Sequence, residues 1–427
     1  MSIATVPLAE NFLAALRREL VPALGCTEPI AIAYAAAKAR EVLGAFPEGM
    51  TVYCSGNIVK NAKGVIVPTT GGLRGIDVAA ALGVAGGRAE RQLEVLGEIT
   101  DADISRAKEL LDSGFVTCHL QEGAANLYVR AEARRGEHCA QVTVRDHHTH
   151  IVQIVKDGQV LQQEDRLSQE EDTGWEGWSV SAILDFARTT GLAEVAPLLD
   201  RQIRYNTAIS EEGLNKPYGA QVGRTLLAAY GDGIRTRAKA RAAAGSDARM
   251  GGCALPVVIN SGSGNQGMAL SLPVIEYARE LKVPEEKLYR ALLISNLFSI
   301  YAKHYIGSLS AFCGAVTAAC GSGAAITYLC GGDDQAVART ITNTLATTSG
   351  IVCDGAKASC AAKIAAALDA AILGHELSLQ GLAFQPGEGI VQQEVEATVR
   401  ATGHIGRVGM RETDLEILRV MLGVVRP

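Results

Sequence analysis

The chain has 427 residues, 48% of them hydrophobic and 20% charged, which is enough to bury a large core in two or three lobes. Its formal charge of −6 argues against nucleic acid as a main partner, and no run of about 18 uninterrupted apolar residues offers a membrane span. No basic head joined to an apolar run marks a signal peptide, so the ten cysteines are expected to be reduced thiols of a cytoplasmic protein, not a disulfide framework.

Apolar residues recur at helical spacing over 8–20, and 29–43 makes a second, Ala-rich helix. Between them, Leu24-Gly-Cys26-Thr-Glu-Pro29 reads as a helix entry with Thr27 as N-cap. Cys26 then sits at the positive end of a helix dipole, where a thiol pKa falls. A nucleophile or general base and a small residue in a tight loop are equal readings of it. Residues 51–54 and 64–68 are short β-like runs on either side of Gly56-Asn57-Ile-Val-Lys60-Asn61. The polar groups of that segment, taken as a turn, suit an amino-acid carboxylate or no ligand at all.

From 113 to 169 the texture changes. Residues 115–120, 127–133, 140–145 and 151–155 alternate like antiparallel strands, with turn signals at Arg135-Gly136 and Asp157-Gly158. His148 and His150 would share a strand face, but a metal needs a third ligand that is not apparent, so a solvent-facing strand is the better reading. A charged connector, 162–172, follows. From Trp178 the chain reads as helical, punctuated by glycine loops at 231–233, 251–252, 261–267, 321–323 and 331–332. The apolar run 291–302 stops at Lys303-His304 and reads as a core helix, with His304 structural. The expected fold is α+β: a predominantly α-helical catalytic domain, residues 1–112 and 170–427, carrying a small antiparallel β insert at 113–169.

Two further segments carry chemistry. Ser261-Gly-Ser-Gly-Asn265-Gln266-Gly267 follows an apolar run and can hold a carboxylate or phosphate on backbone N–H groups, although it is neither a Walker nor a dinucleotide loop. Cys353-Asp-Gly-Ala-Lys-Ala-Ser-Cys360 spaces two cysteines seven apart, roughly 10 Å along a continuous helix. A break at Gly355 would leave Cys353 in a loop, with a helix starting near Asp354 or Gly355 and Cys360 in its early turns. With Cys313 these make three thiolates, the number offered to an iron–sulfur cluster when one iron stays open. The spacing fits neither zinc nor ferredoxin patterns, and small buried apolar cysteines are the competing reading. Cys54, Cys118, Cys139, Cys253, Cys320 and Cys330 read as core or loop residues, the last two being reserve ligands.

Gly25-Cys26-Thr27-Glu28-Pro29, Gly56-Asn57-Ile58-Val59-Lys60-Asn61, Gly264-Asn265-Gln266-Gly267 and Cys353-Asp354-Gly355-Ala356-Lys357 together resemble the L-cysteine desulfidase branch of the iron–sulfur serine dehydratase alpha-chain family. The resemblance runs from about residue 15 to about 420. It implies a [4Fe–4S] cluster on Cys313, Cys353 and Cys360, no pyridoxal phosphate, and Cys26 as the base. It further implies a small amino-acid substrate held by Asn57, Lys60, Asn61, Asn265 and Gln266. The open iron would bind the substrate's sulfur as a Lewis acid while Cys26 takes the α-proton, releasing sulfide, pyruvate and ammonia. Serine dehydratases proper carry catalytic histidines and a regulatory domain, and some end in a cysteine that caps the cluster. Here Cys26 holds the base position and the tail ends Val-Val-Arg-Pro427, which shifts the expectation from serine toward cysteine. A serine dehydratase, a non-catalytic iron–sulfur redox or sulfur-carrier protein, and a zinc or metal-free protein remain the alternatives. A homo-oligomer is compatible with the sequence, which does not fix the oligomeric state.

Overall fold

The computed structural model describes residues 7–164, 174–307 and 309–424. The end of the expected β segment, residues 165–169, most of the connector 162–172 and the terminal residues 425–427 lie outside that set. The fold is helix-dominated α+β, 59% helical and 12% strand. No helix among the described residues is long and apolar enough to cross a membrane.

The helix Thr27–Leu43 is buried almost all round. Its alanines leave room for two close neighbours. On one side the helix Ile76–Ala85 approaches until a Cβ on Gly83 would stand 2.3 Å from the Ala33 carbonyl oxygen. On the other lies a six-stranded sheet. Its strands are β2 (Gly49–Cys54), β3 (Val116–Leu120), β4 (Tyr128–Arg135), β5 (His138–Arg145), β6 (Ile151–Lys156) and β7 (Gln159–Gln163), in the order β3-β2-β4-β5-β6-β7. Met50, Val52, Val129, Ala131, Val142 and Val144 alternate into the core beneath the helix.

The sheet is wider than the 113–169 segment. Strand β2 comes from the helical part of the chain and pairs antiparallel with β4 but parallel with β3. A parallel pair needs a crossover, and the helices between residues 56 and 112 supply it. Residues 56–61 are not a turn but the helix Gly56–Ala62, and the β-like run 64–68 contributes only a bridge from Ile66 to Arg74. His148 and His150 sit in the connection between β5 and β6 rather than on a strand.

A second core forms around the helix Glu285–Ile306. Glycines 321 and 323 lie inside the helix Gly314–Leu329 instead of breaking it. They let it close on its neighbours, since a Cβ on Gly321 would stand 2.6 Å from the Ser295 carbonyl oxygen. Glycine here serves proximity, not turning.

A two-stranded ladder, β1 (Pro22–Leu24) against β8 (Pro256–Val258), ties the two cores. Beneath it runs a set of buried amides. Asn206 accepts from the Val258 N–H at 2.9 Å, Asn260 donates to Asn296 Oδ1 at 3.1 Å, and Asn296 exchanges hydrogen bonds with Gln202 at 2.9 and 3.0 Å. Asn296→Leu should lower stability by about 3 kcal/mol, because stranded buried partners cost roughly 1–3 kcal/mol each. Urea denaturation would show this as a lower midpoint; an unchanged midpoint would mean the network is relaxed by neighbours.

Candidate active site

Four helices begin at one cavity of about 640 Å³. The first is Thr27–Leu43, whose N-cap is Cys26 rather than the expected Thr27. Gly25, at φ +67°, makes the entry turn in a space where a Cβ would overlap Pro68. The Thr27 hydroxyl lies 2.9 Å from the Gly262 carbonyl and 3.1 Å from Glu28 Oε2, fastening this helix start to the 261–267 loop. The second helix, Gly264–Glu280, opens from that loop with Ser263 as cap. Asn265 Oδ1 and Gln266 Oε1 are buried there without hydrogen-bond partners among the described residues.

The other two helices carry the cysteine trio. Cys313 is the N-cap of Gly314–Leu329, and Cys360 is the first residue of Cys360–Leu379, several residues later than the helix start expected near Asp354. Backbone pairing brings the segments together. Phe312 bridges Val352, Cys313 N–H donates to Ile351 O at 3.0 Å, and Cys353 N–H donates to Ala311 O at 2.6 Å. Gly355, at φ +93°, turns the chain against the Lys60 carbonyl, where a Cβ would come within 2.2 Å. Asp354 then accepts from both Lys357 and Lys363, and Lys363 also donates to Val352 O at 2.8 Å. The Cys353–Cys360 loop is thus clamped from three sides.

Burial decides the electrostatics. It pushes the Cys26 thiol up to about 12, against the charge of Arg249, so the lowering expected from the helix start does not prevail. Burial and the neighbouring Cys353 likewise push Cys313 up to about 12, and burial raises Cys360. Burial brings the ammonium of Lys303 down to about 8, opposed by Cys353 and Cys313 beside it. Glu28 is the reverse case. Burial alone would raise its carboxyl, yet His148, with Nε2 3.9 Å from Glu28 Oε1, helps hold it below the ordinary range.

Of the residues singled out from sequence, Cys26, Asn61, Asn265, Gln266, Cys313, Cys353 and Cys360 line this cavity. Asn57 and Lys60 do not. Lys60 is buried and paired with Asp414 of the C-terminal helix Arg411–Met421, while the Asn57 carbonyl accepts from Asn61 Nδ2 at 3.0 Å. Cys320 is buried against Ile341 O, and neither it nor Cys330 reaches the cavity. Sequence reasoning missed Glu28, Arg249 and Lys303 as site residues, and read His148 as solvent-facing. His304 lines the cavity too, stacked on Trp175 at 4.0 Å.

Among the described residues no three His, Cys, Asp or Glu side chains converge on a single ion. A cluster asks for something different, one thiolate per iron. Three neighbouring thiols line the cavity, and burial raises Cys313 and Cys360 until a metal compensates their charge; this donor set fits such a group, and Lys303 and Lys363 stand beside it.

A cysteine trio and a polar loop face one cavity of this helical α+β scaffold, and the family match gives the class of protein as an iron–sulfur dehydratase-type lyase. The serine dehydratase alpha chain family model matches residues 90–419, and the chain belongs to that family. It is 53% identical to a UPF0597 protein of Lachnoclostridium phytofermentans over 95% of this chain and 98% of that one. It is also 50% identical to a UPF0597 protein of Desulfitobacterium hafniense, over 97% and 96% of the two chains. A UPF0597 protein of Treponema denticola is 46% identical over 97% and 98%.

Two outcomes follow from this geometry. Alkylation of Cys26 by iodoacetamide, read by peptide mass spectrometry, should rise about tenfold per pH unit from pH 7 to 9, because the thiolate fraction grows tenfold per unit below the thiol's pKa. A plateau by pH 8 would show that the helix start prevails over burial. Asp414→Ala should destabilise the protein by about 3 kcal/mol by leaving Lys60 buried and unpaired, and Lys60→Met in the same chain should restore most of the loss. Urea midpoints of the single and double variants check this.

Proposed function

We propose that the protein is an L-cysteine desulfidase, eliminating sulfide from L-cysteine and leaving pyruvate and ammonia. The observation that carries this reading is a fourth thiol, Cys26, open to the same cavity as Cys313, Cys353 and Cys360. When bound, a [4Fe–4S] cluster on those three cysteines offers one iron without a protein ligand, a Lewis acid that makes the substrate's β-sulfur a better leaving group.

The chain's own residues do the rest. Cys26, as thiolate, takes the α-proton onto Sγ. The C–H electron pair becomes the new double bond, and the C–S pair leaves on sulfur. The aminoacrylate so formed tautomerises and hydrolyses to pyruvate and ammonia. A thiol that burial holds near 12 is hard to ionise, but once ionised it is a stronger base than an ordinary cysteine. Asn61, Asn265 and Gln266 fix the amino acid so that its α-hydrogen meets Cys26, and Asn57 and Lys60 act behind them by holding Asn61 and the cluster loop. Trp175 and His304 make one aromatic wall that helps exclude water.

The test is anaerobic, on iron-reconstituted protein, with sulfide and pyruvate read in parallel. Equal sulfide and pyruvate from L-cysteine support the proposal. Pyruvate from L-serine alone would make the protein a dehydratase, and silence with an intact cluster would favour a carrier or sensor. Cys313→Ala, Cys353→Ala and Cys360→Ala should each lose iron and turnover together. Cys26→Ala should keep its cluster absorbance and lose about a thousandfold in kcat.

A further inference from the structure

Arg249 is 3% exposed, yet it lines the cavity. It belongs to the last turn of the helix Ile234–Met250, and its Nε donates to the Gly25 carbonyl at 3.0 Å. That bond fixes the guanidinium beside Cys26 and leaves the Nη groups without a protein acceptor among the described residues. Gly264 keeps the space open, since a Cβ there would stand 2.6 Å from Arg249 Nε. The acid that feels this charge, Glu28, has its own neighbours in Thr27 and His148. A guanidinium this deep, with donors open to the cavity and no ion-pair partner among the described residues, suits an entering anion.

The surroundings say what kind of anion. Met250 Sδ is 3.8 Å from Cys26 Sγ and 3.8 Å from Asn265 Nδ2, so Arg249, Cys26 and the 264–266 loop share one end of the cavity. Asn265 Oδ1 and Gln266 Oε1, both unpartnered, are acceptors of the kind an ammonium requires. Lys303, another buried cation of the cavity, lies beside Cys313 and Cys353. Lys363 is engaged by Asp354.

We infer that Arg249 is the α-carboxylate anchor of this site, with the Asn265 and Gln266 side-chain oxygens taking the α-ammonium. This rests on the proposed reading only in that the substrate is an α-amino acid; it holds whichever β-group leaves. The planar fork pairs both carboxylate oxygens, so the site selects free amino acids and rejects amines, esters and amides. Between the carboxylate at Arg249 and the β-group toward the cysteine trio, the α-hydrogen is left facing Cys26.

The test is binding, measured by calorimetry on anaerobic, iron-reconstituted protein with two half-substrates. 3-Mercaptopropionate keeps the carboxylate and lacks the amine, and cysteamine does the opposite. Arg249→Gln should weaken 3-mercaptopropionate about a hundredfold and leave cysteamine within twofold, because only the first loses a charge-assisted, two-point pairing. Arg249→Lys should fall between, keeping the charge and losing the fork. Equal weakening of both ligands, or an unchanged constant for 3-mercaptopropionate, overturns the assignment. Should Arg249→Gln lose its cluster absorbance through the Gly25 contact, the same two ligands on Arg249→Lys decide the matter. A protein that turns over serine and not cysteine is tested with 3-hydroxypropionate and ethanolamine instead, so failure of the cysteine reading and failure of the Arg249 assignment remain separate results.

Discussion

Four helix starts aimed at one space are the constraint on which the rest of this structure depends. Each carries unpaired N–H groups and a partial positive charge, and buried cations stand among them. Such an arrangement is tolerable only where anions belong. The small residues of the sequence make the convergence sterically feasible: Ala33 against Gly83, Gly321 against Ser295, Gly355 against Lys60. Larger side chains at those crossings would spread the helices and open the cavity to solvent.

The same burial that concentrates positive charge also suppresses the thiolates that would answer it. Cys26 and Cys313 are held protonated by exclusion from water, although each caps a helix. Desolvation outweighs the dipole because the dipole acts through one turn of partial charges, whereas loss of water acts on the whole ion. The protein is therefore electrically unfinished without its ligands: a metal's positive charge lets the thiols ionise, and an anionic ligand answers the buried cations, in a site already shaped for both.

Much of this was legible in the sequence, and the parts that were not share a cause. The cysteine trio and the 264–267 loop announced themselves because glycine breaks and polar runs are local signals. The helical texture, four of the six strands of the larger sheet and the core character of 291–302 follow from periodicity, and β2 was glimpsed as 51–54. Strand β7 escaped notice because it lies at the sheet edge with mostly exposed side chains, so no alternation marks it. Glycines 321 and 323 read as a loop because sequence does not distinguish a turn from a close helix crossing. Glu28, His148, Arg249 and Lys303 come from four separate stretches of chain, and only the folded ladder β1–β8 and the β5–β6 connection gather them. The thiol pKa escapes sequence for the same reason: a dipole is visible in a helix start, but depth is not.

The pairing of 311–313 with 351–353 has one more implication. Cys313 and Cys353 are held side by side by main-chain hydrogen bonds, and Cys360 by the clamp around Asp354, so none of the three depends on metal for its position. In a zinc finger the metal is the core and its loss is unfolding. Here loss of a bound metal would strip the site without dissolving the scaffold, leaving the three cysteines in place for reloading. Emptying and refilling such a site asks for no refolding, so the apo-protein keeps the shape that its metal will need.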